Sequence, residues 1–197
     1  MSHWIRQELY GGAISTVFPK AFLDASMIRQ VPDTQEVFVN SRREEEPTDD
    51  GLGYDESVIV DLLQRVEEDN DRKALDIHLA EISDLSKSHN WTIINHHAQP
   101  EKNSQTCIVV ETAYKWGKES MAETVAMCVG LSRLSEFETD VVISILVPIS
   151  SQEELAAMAQ AAAQKSPETL PSRVQAAYGL LQDMVANLTV EDPSLFV

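Results

Sequence analysis

The side chains best placed to do chemistry are two carboxylates at the mouth of a predicted strand. Asp33 follows Pro32, and Glu36 stands near the start of the alternating segment QEVFVNS. Pro32 fixes its own φ and disfavours helix in the residue before it, so we expect Asp33 and Thr34 in a turn. Carboxylates on a rigid bend are well suited to contact a basic group of a partner. The alternative for Asp33 is that its side chain caps its own turn.

The charge of the chain indicates which partners suit those carboxylates. Lys and Arg number 15 and Asp and Glu number 32, which gives a formal net charge of -17. Fourteen of the acids and three of the bases lie between Asp33 and Asp71, a net charge of −11 in one fifth of the chain. This acidity argues against binding to nucleic acid or to an anionic membrane surface and favours a partner with basic groups. Acidity that serves only solubility is the alternative.

The remaining motifs predict no cofactor, no metal and no enzyme. His96 and His97 are adjacent and would point to opposite faces of a strand, and we expect His78 to be a hydrogen-bonded core residue. No Cys or His has zinc-type spacing. The segment REEEPTDD lacks the spacing of a calcium loop, and GLSRLS lacks the second Gly of a nucleophile elbow. A pocket holding carboxylates of raised pKa would instead favour a hydrolase.

We expect the chain to lie inside the cell, because its N-terminus lacks the apolar core of a signal peptide. No apolar run approaches the roughly 20 residues that a membrane span needs. Cys107 and Cys128 are too few for a disulfide framework, so both thiols are expected to be reduced.

The carboxylates must be positioned by elements of the first part of the chain. Gly11–Gly12 separates two apolar runs and predicts a β-hairpin over Glu8–Val17. Phe22–Arg29 is expected to form one helical turn capped by Asp24 or Ser26.

After the predicted strand, residues 42–54 are polar and contain Pro and Gly, which is typical of a mobile acidic loop. Helical spacing predicts a helix that begins at Asp55 and a second one over Asp71–Lys87. The apolar stripe of the first would consist of Val58, Ile59, Leu62, Leu63 and Val66.

The second half of the chain shows period-two patterns of four strands. These are Trp91–His97, Thr106–Lys115, Met121–Arg133 and Asp140–Val147. The third strand has small residues on one face, where a helix can approach closely, so we expect it to be central and covered on both sides. If Tyr114 pairs with Met121, Cys107 lies opposite Cys128; a slip of one residue would leave two unrelated thiols.

An Ala-rich insert near residues 150–169 is predicted to hold a weakly anchored helix capped by Ser150 or Ser151. A strong amphipathic helix follows over Pro171–Leu188, and then a tail that forms a short edge strand. The whole chain, 1–197, is predicted to be one α+β domain: a twisted antiparallel β-sheet with helices packed on both faces.

Five segments resemble the Mog family of Ran-binding nuclear import proteins, also called Ran guanine-nucleotide-release factors. They are ELYGGAISTVFP, FLDASMIRQVPDTQEVFVNSRR, ESVIVDLLQRV, FETDVVISILVP and EDPSLF. They occur in order along nearly the whole chain, and VPDTQEV is the most specific. The resemblance implies the PsbP-like fold, which agrees with the pattern of elements. Some relatives have an N-terminal extension before ELYGG, and the insert near 150–169 looks longer than the usual link.

The resemblance also implies a function: binding of the small GTPase Ran, release of its guanine nucleotide and support of nuclear import. Asp33 and Glu36 match the acidic positions of the family's Pro-Asp-x-Gln-Glu motif, which is implicated in the contact. Further candidates are Asp24, Arg29, Thr34 and Gln35. We expect a non-catalytic monomer, found in nucleus and cytoplasm, that favours nucleotide-free or GTP-bound Ran. The alternative is a PsbP-like acidic adaptor module that binds another basic signalling partner.

Overall fold

The computed structural model describes residues 4–46, 48–86, 91–114 and 122–197. The strands are β1 (Trp4–Leu9), β2 (Ile14–Pro19), β3 (Phe22–Asp24), β4 (Gln35–Asn40), β5 (Ser57–Gln64), β6 (Trp91–Gln99), β7 (Ser104–Tyr114), β8 (Ala122–Leu134), β9 (Thr139–Ile149) and β10 (Thr189–Val190). The helices are α1 (Asp71–Leu85), α2 (Gln152–Gln164) and α3 (Ser172–Ala186). Short 3-10 turns separate several of these elements.

Seven strands form one antiparallel sheet in the order β3-β4-β5-β9-β8-β7-β6. A smaller antiparallel sheet has the order β1-β2-β10. One buried cluster joins α2 and α3 to one face of the large sheet, and a second cluster joins α1 to the other face. The predicted α+β architecture with helices on both faces is therefore confirmed.

Strand β8 is central, as predicted, and its alternation divides the two clusters. Met127, Val129 and Leu131 pack on the α1 side, whereas Ala126 and Cys128 face α3. On the α3 side, a Cβ added at Gly130 would lie 2.6 Å from Val185 Cγ2. The small face of the strand is what permits this close approach of the helix.

The helix predicted from Asp55 is wrong, because this segment forms strand β5. Its residues pair with β4 on one side and with β9 on the other. Val58 and Val60 are fully buried on one face, and Leu63 packs on the opposite one. A strand with partners and cover on both sides has a nearly continuous apolar run, which helical spacing fits equally well.

The predicted pairing of the two cysteines is also wrong. Cys107 lies opposite Val129, and Cys128 lies opposite Ile108, so the register differs by one residue from the prediction. The two thiols consequently belong to different clusters on opposite faces of the sheet. Burial raises the pKa of Cys107 to about 12 and also raises the pKa of Cys128. The link predicted as a hairpin turn lies outside the described residues.

The other predicted elements around the insert agree with the structure. Ser151 caps α2 by accepting a hydrogen bond from the Glu154 N–H at 3.1 Å, and Pro171 occupies the cap position of α3. In the acidic loop, Arg42 and Asp50 form a buried ion pair. Leu52 is also buried there, so the end of this loop is packed against the core. The mobility of the loop stays a prediction.

A buried polar network lies on the α1 side of the large sheet. Asp140, which is fully buried, accepts hydrogen bonds from Arg133 Nε at 3.2 Å and from the Val66 N–H at 3.1 Å. Its other close partner is His78 Nε2 at 2.9 Å, which confirms His78 as a hydrogen-bonded core residue. Burial alone would raise the pKa of Asp140, but these hydrogen bonds and the Arg133 charge together hold it below its usual value.

We expect Gly130→Ala to lower the free energy of unfolding by about 1–3 kcal/mol, because Val185 is stiff and cannot move away cheaply. Chemical denaturation measures the change. The matched control is Gly179→Ala on α3, where an added Cβ meets no atom within 4 Å; it should stabilise the protein by up to about 1 kcal/mol. Equal effects of the two substitutions would contradict the tight approach at Gly130.

We expect Asp140→Asn to destabilise the protein by about 1.5–3 kcal/mol at neutral pH, because it removes one of the two carboxylates that pair with the buried Arg133 and leaves Asp71 as the other. The carboxylate has a lowered pKa in the folded state. Its contribution is therefore full above the unfolded-state pKa and is lost as the pH falls through the folded-state pKa. Urea unfolding between neutral and acid pH should show a shallower acid loss for the variant than for wild type. The exposed Asp84→Asn on α1 is the control, with an effect within about 0.5 kcal/mol.

Candidate functional site

Asp33 occupies the tip of the turn before β4. The Gln35 N–H donates to the Pro32 carbonyl at 2.9 Å and closes this turn, as the sequence predicts. The Asp33 side chain is exposed and has no hydrogen-bond or ion partner in the part of the chain that the structure describes. It does not cap its own turn, so its carboxylate is available to another molecule.

Glu36 begins the apolar part of β4 and is half-buried. Its Oε1 accepts a hydrogen bond from the Tyr10 N–H at 2.5 Å. Burial and the nearby Asp24 charge raise the pKa of Glu36, and the Tyr10 bond only partly offsets this. The carboxylate is thus held in one position and lacks a cationic partner among the described residues.

Tyr10 positions this carboxylate, and sequence patterns missed it. It stands in the β1–β2 turn with a φ of 51°, in the left-handed region that Gly11 and Gly12 also adopt. Its hydroxyl donates to the Val60 carbonyl at 2.8 Å and lies 3.1 Å from the Thr34 carbonyl. Tyr10 therefore links the hairpin to both β4 and β5. The only local signal was an aromatic residue directly before Gly-Gly.

Asp24 brings a third carboxylate to the same place. Its Oδ1 caps the turn Ala25–Met27 by accepting a hydrogen bond from the Ser26 N–H at 2.8 Å. Of the two predicted caps, Asp24 and Ser26, the first is therefore confirmed. Gln35 donates from Nε2 to Asp61 Oδ1 at 2.8 Å. Arg29 and Thr34 are exposed nearby on the turns themselves.

A cleft of about 250 Å³ lies between the β1–β2 turn, the turn that Asp24 caps and the start of β4, and we call it the acidic cleft. Its lining includes Tyr10, Asp24, Pro32, Asp33, Gln35 and Glu36; Arg29 and Thr34, two of the weaker candidates, do not line it. No Lys, Arg or His contributes to this lining. Three carboxylates without a counter-charge attract a cationic group, especially where one of them is partly desolvated.

Glu36, whose pKa is raised, has no nucleophilic partner in the cleft among the described residues. Burial explains the raised pKa. A nucleophile and its base would need to be hydrogen-bonded to each other. Within the same residues, no group of three or more potential ligands is arranged for a metal ion.

Apolar side chains flank the cleft and were also missed by the sequence patterns. Met27 is 83% exposed and Ile28 74%, on the turn that Asp24 caps. The Ile28 and Arg29 N–H groups both donate to the Ala25 carbonyl, at 2.9 and 3.0 Å, so this turn is fixed. A rigid pair of large exposed apolar residues beside charged groups is typical of a protein-binding surface.

The chain is similar in sequence to several named proteins. Residues 7–148 match the family model described as Ran-interacting Mog1 protein. The nuclear import protein MOG1 of Saccharomyces cerevisiae is 47% identical over 189 residues, which cover 96% of this chain and 83% of that protein. The human Ran guanine nucleotide release factor is 25% identical over 198 residues, with coverage of 95% and 94%.

Solved structures share the fold. The crystal structure of the Saccharomyces cerevisiae Ran-binding protein Mog1p has a TM-score of 0.85 at 45% identity and covers 98% of both chains. A cyanobacterial PsbP from Synechocystis has a TM-score of 0.53 at 10% identity, with coverage of 96% of this chain and 94% of its own, and supports the fold alone. The predicted PsbP-like fold is confirmed. None of the described helices is long and apolar enough to cross a membrane.

We expect Glu36→Ala to lower the free energy of unfolding by about 1–2 kcal/mol, since it leaves the partly buried Tyr10 N–H without its acceptor. Glu36→Gln keeps a carbonyl oxygen there and should cost less than half as much. Denaturant unfolding of both variants measures the difference, with the exposed Glu101→Ala as control. Equal losses for Ala and Gln would show that this hydrogen bond does not hold the cleft.

Proposed function

Because the chain belongs to the Mog1 family of Ran-interacting proteins, we propose that it binds a Ran-type small GTPase, promotes release of its guanine nucleotide and supports nuclear protein import. The observation that carries this proposal is the acidic cleft, in which three carboxylates meet without a basic side chain. A cationic patch on the GTPase would supply the missing counter-charge.

Asp33 and Glu36 are the principal contact residues in this proposal. Glu36 is held by Tyr10 and partly desolvated, so an ion pair formed there would lose less to solvent screening than one on open surface. Asp33 is exposed and would act mainly in steering and in rate of association. Asp24 and Gln35 line the cleft. Arg29 and Thr34 are exposed beside it and would contact the partner at the edge of the interface.

Met27 and Ile28 supply the apolar part of the proposed interface. Charged contacts alone give orientation and speed of encounter, whereas affinity in protein interfaces comes largely from buried apolar anchors. The turn that presents Met27 and Ile28 is ordered before binding, so little conformational entropy is lost when they are covered.

Nucleotide release in this proposal needs no bond-making residue, and the protein is not an enzyme. A protein that binds nucleotide-free Ran more tightly than loaded Ran must weaken nucleotide binding by the same factor. The acidic cleft would favour that state by engaging basic groups that otherwise hold phosphates, or by stabilising a displaced switch segment. Preference for the nucleotide-free or the GTP form is part of the same proposal.

We propose that the protein acts as a monomer in the nucleus and the cytoplasm, without nucleic-acid or membrane partners. Its net charge of -17 opposes association with phosphate backbones and with anionic lipid.

Glu36→Gln should lower the affinity for nucleotide-free Ran by about tenfold and Asp33→Asn by about threefold, because the first contact is desolvated and the second is exposed. Both should slow release of labelled nucleotide from Ran. Glu36→Lys, which reverses the charge, should exceed the tenfold loss. Binding is measured by calorimetry and release by fluorescence, with Glu101→Gln on the distant β6–β7 turn as matched control.

Ionic strength separates the charged contacts from the apolar ones. The loss caused by Asp33→Asn should shrink at high salt, and the loss caused by Glu36→Gln should shrink less because that contact is partly desolvated. The loss caused by Ile28→Ser should persist. Unchanged affinity in both charge variants, with the fold intact, would remove the acidic cleft from the interface. Absence of Ran binding by the wild-type protein would favour the alternative, an acidic adaptor for another basic signalling partner.

A further inference from the structure

A second cavity shares Gln35 with the acidic cleft. It has a volume of about 120 Å³. Its polar lining consists of Asp61 on β5 and of His78 and Glu81 on α1. Leu63, Ile82 and Leu85 contribute apolar walls. We call this space the amine pocket.

His78 has one ring nitrogen whose hydrogen-bonding capacity is unused. Its Nε2 lies 2.9 Å from Asp140, whose lowered pKa keeps that carboxylate ionised, so Nε2 carries the hydrogen and donates it. In the neutral imidazole Nδ1 is then a bare acceptor. Although the side chain is only 2% exposed, Nδ1 has no hydrogen-bond partner among the described residues. A buried acceptor of this kind is rare and needs a donor.

The groups next to that nitrogen are acceptors too. Glu81 Oε2 lies 3.6 Å from Nδ1, beyond hydrogen-bond distance. In the neutral imidazole both atoms are acceptors and cannot satisfy each other; only a protonated ring would pair with Glu81. Asp61 accepts from Gln35 through Oδ1 alone and forms no ion pair among the described residues. Burial raises the pKa of Asp61, while the Gln35 hydrogen bond and the charge that His78 carries when its ring is protonated act in the opposite direction. The pocket thus presents a desolvated carboxylate, an exposed carboxylate and an orphaned nitrogen.

We propose that this pocket binds a lysine side chain from the GTPase partner, an inference that rests on the proposed function. The ammonium has three donors and no acceptor, which matches Asp61, Glu81 and His78 Nδ1. Its four-carbon stem suits the walls of Leu63 and Ile82. The Glu81 side chain, 60% exposed, can rotate at little cost to admit the head group. Because Gln35 borders both spaces, one partner surface can fill them together.

Other cations fit these groups less well. A metal ion needs its ligands at about 2.0–2.6 Å, and no group of three or more potential ligands among the described residues is arranged for one. An ammonium contacts its acceptors at the longer distance of about 2.8 Å and can pair with Asp61 while Glu81 rotates toward it. A guanidinium presents five donors in one rigid plane and is suited to paired carboxylate oxygens, whereas here Asp61 has already used one oxygen on Gln35. A single ammonium between separate acceptors is the better match.

The pocket is tested first without Ran, with n-butylammonium chloride as the probe. NMR titration should show saturable shifts of His78 ¹⁵Nδ1 and of the Ile82 methyl groups. Equal concentrations of n-butanol or sodium chloride should not produce them. Glu81→Gln and Asp61→Asn should weaken the binding at least about threefold, whereas Asp84→Asn, an exposed residue on the same helix, should not. Shifts equal to those with sodium chloride would overturn the pocket, and tighter binding of n-propylguanidinium would overturn the choice of lysine.

The second measurement concerns the partner. Glu81→Gln and Asp61→Asn should each lower the affinity for nucleotide-free Ran by about threefold, with Asp84→Asn unchanged. If the probe binds but both variants retain full affinity for Ran while Glu36→Gln loses it, the pocket is an amine site that the partner does not use, and the assignment to its lysine is wrong. If wild-type protein does not bind Ran, the proposed function fails, and the n-butylammonium titration alone decides the amine pocket.

Discussion

The amide of Tyr10 donates to a carboxylate oxygen of Glu36, and this bond joins the β1–β2 hairpin to the start of β4. The left-handed conformation of Tyr10 aims its N–H away from the hairpin, while its hydroxyl reaches the Val60 carbonyl on β5. Two polar contacts from one residue therefore set the position of the small sheet against the edge of the large one. Glu36 is held by a backbone N–H and not by a basic side chain. A basic side chain in that position would have neutralised the negative charge of the acidic cleft.

The core places this edge by covering the large sheet on both faces. Gly130 lets α3 approach β8 closely on one side, and α1 covers the other. On the α1 side, Asp140 ties β9 to His78 and Arg133, so a buried charge network orients the helix that carries Glu81. The same bond that satisfies Asp140 leaves His78 Nδ1 bare. Structural stability and the proposed amine pocket thus depend on one carboxylate.

Both proposed binding regions share one electrostatic property. Glu36 and Asp61 are partly removed from water and form no ion pair with a Lys or Arg among the described residues, and burial raises the pKa of both. Such groups gain more from a cationic partner than exposed acids do, because part of their desolvation has already occurred on folding. An acidic protein has many carboxylates, and these two are held in place by hydrogen bonds from Tyr10 and Gln35. Gln35, which borders both spaces, makes them parts of a single surface.

The sequence by itself determined the local features: the Gly-Gly hairpin, the Pro32 turn, the caps at Asp24 and Ser151, the alternation of β8 and the amphipathic α3. Each depends on residues within a few positions of one another. Only the tertiary structure decided that the apolar run of β5 is a strand, since its two neighbours supply the cover on either side. It also decided the register that separates Cys107 from Cys128, the Tyr10 contact to Glu36 and the meeting of Asp61 with His78. Those pairs join distant parts of the chain, and their contact depends on which strands and helices lie side by side, which no local pattern encodes.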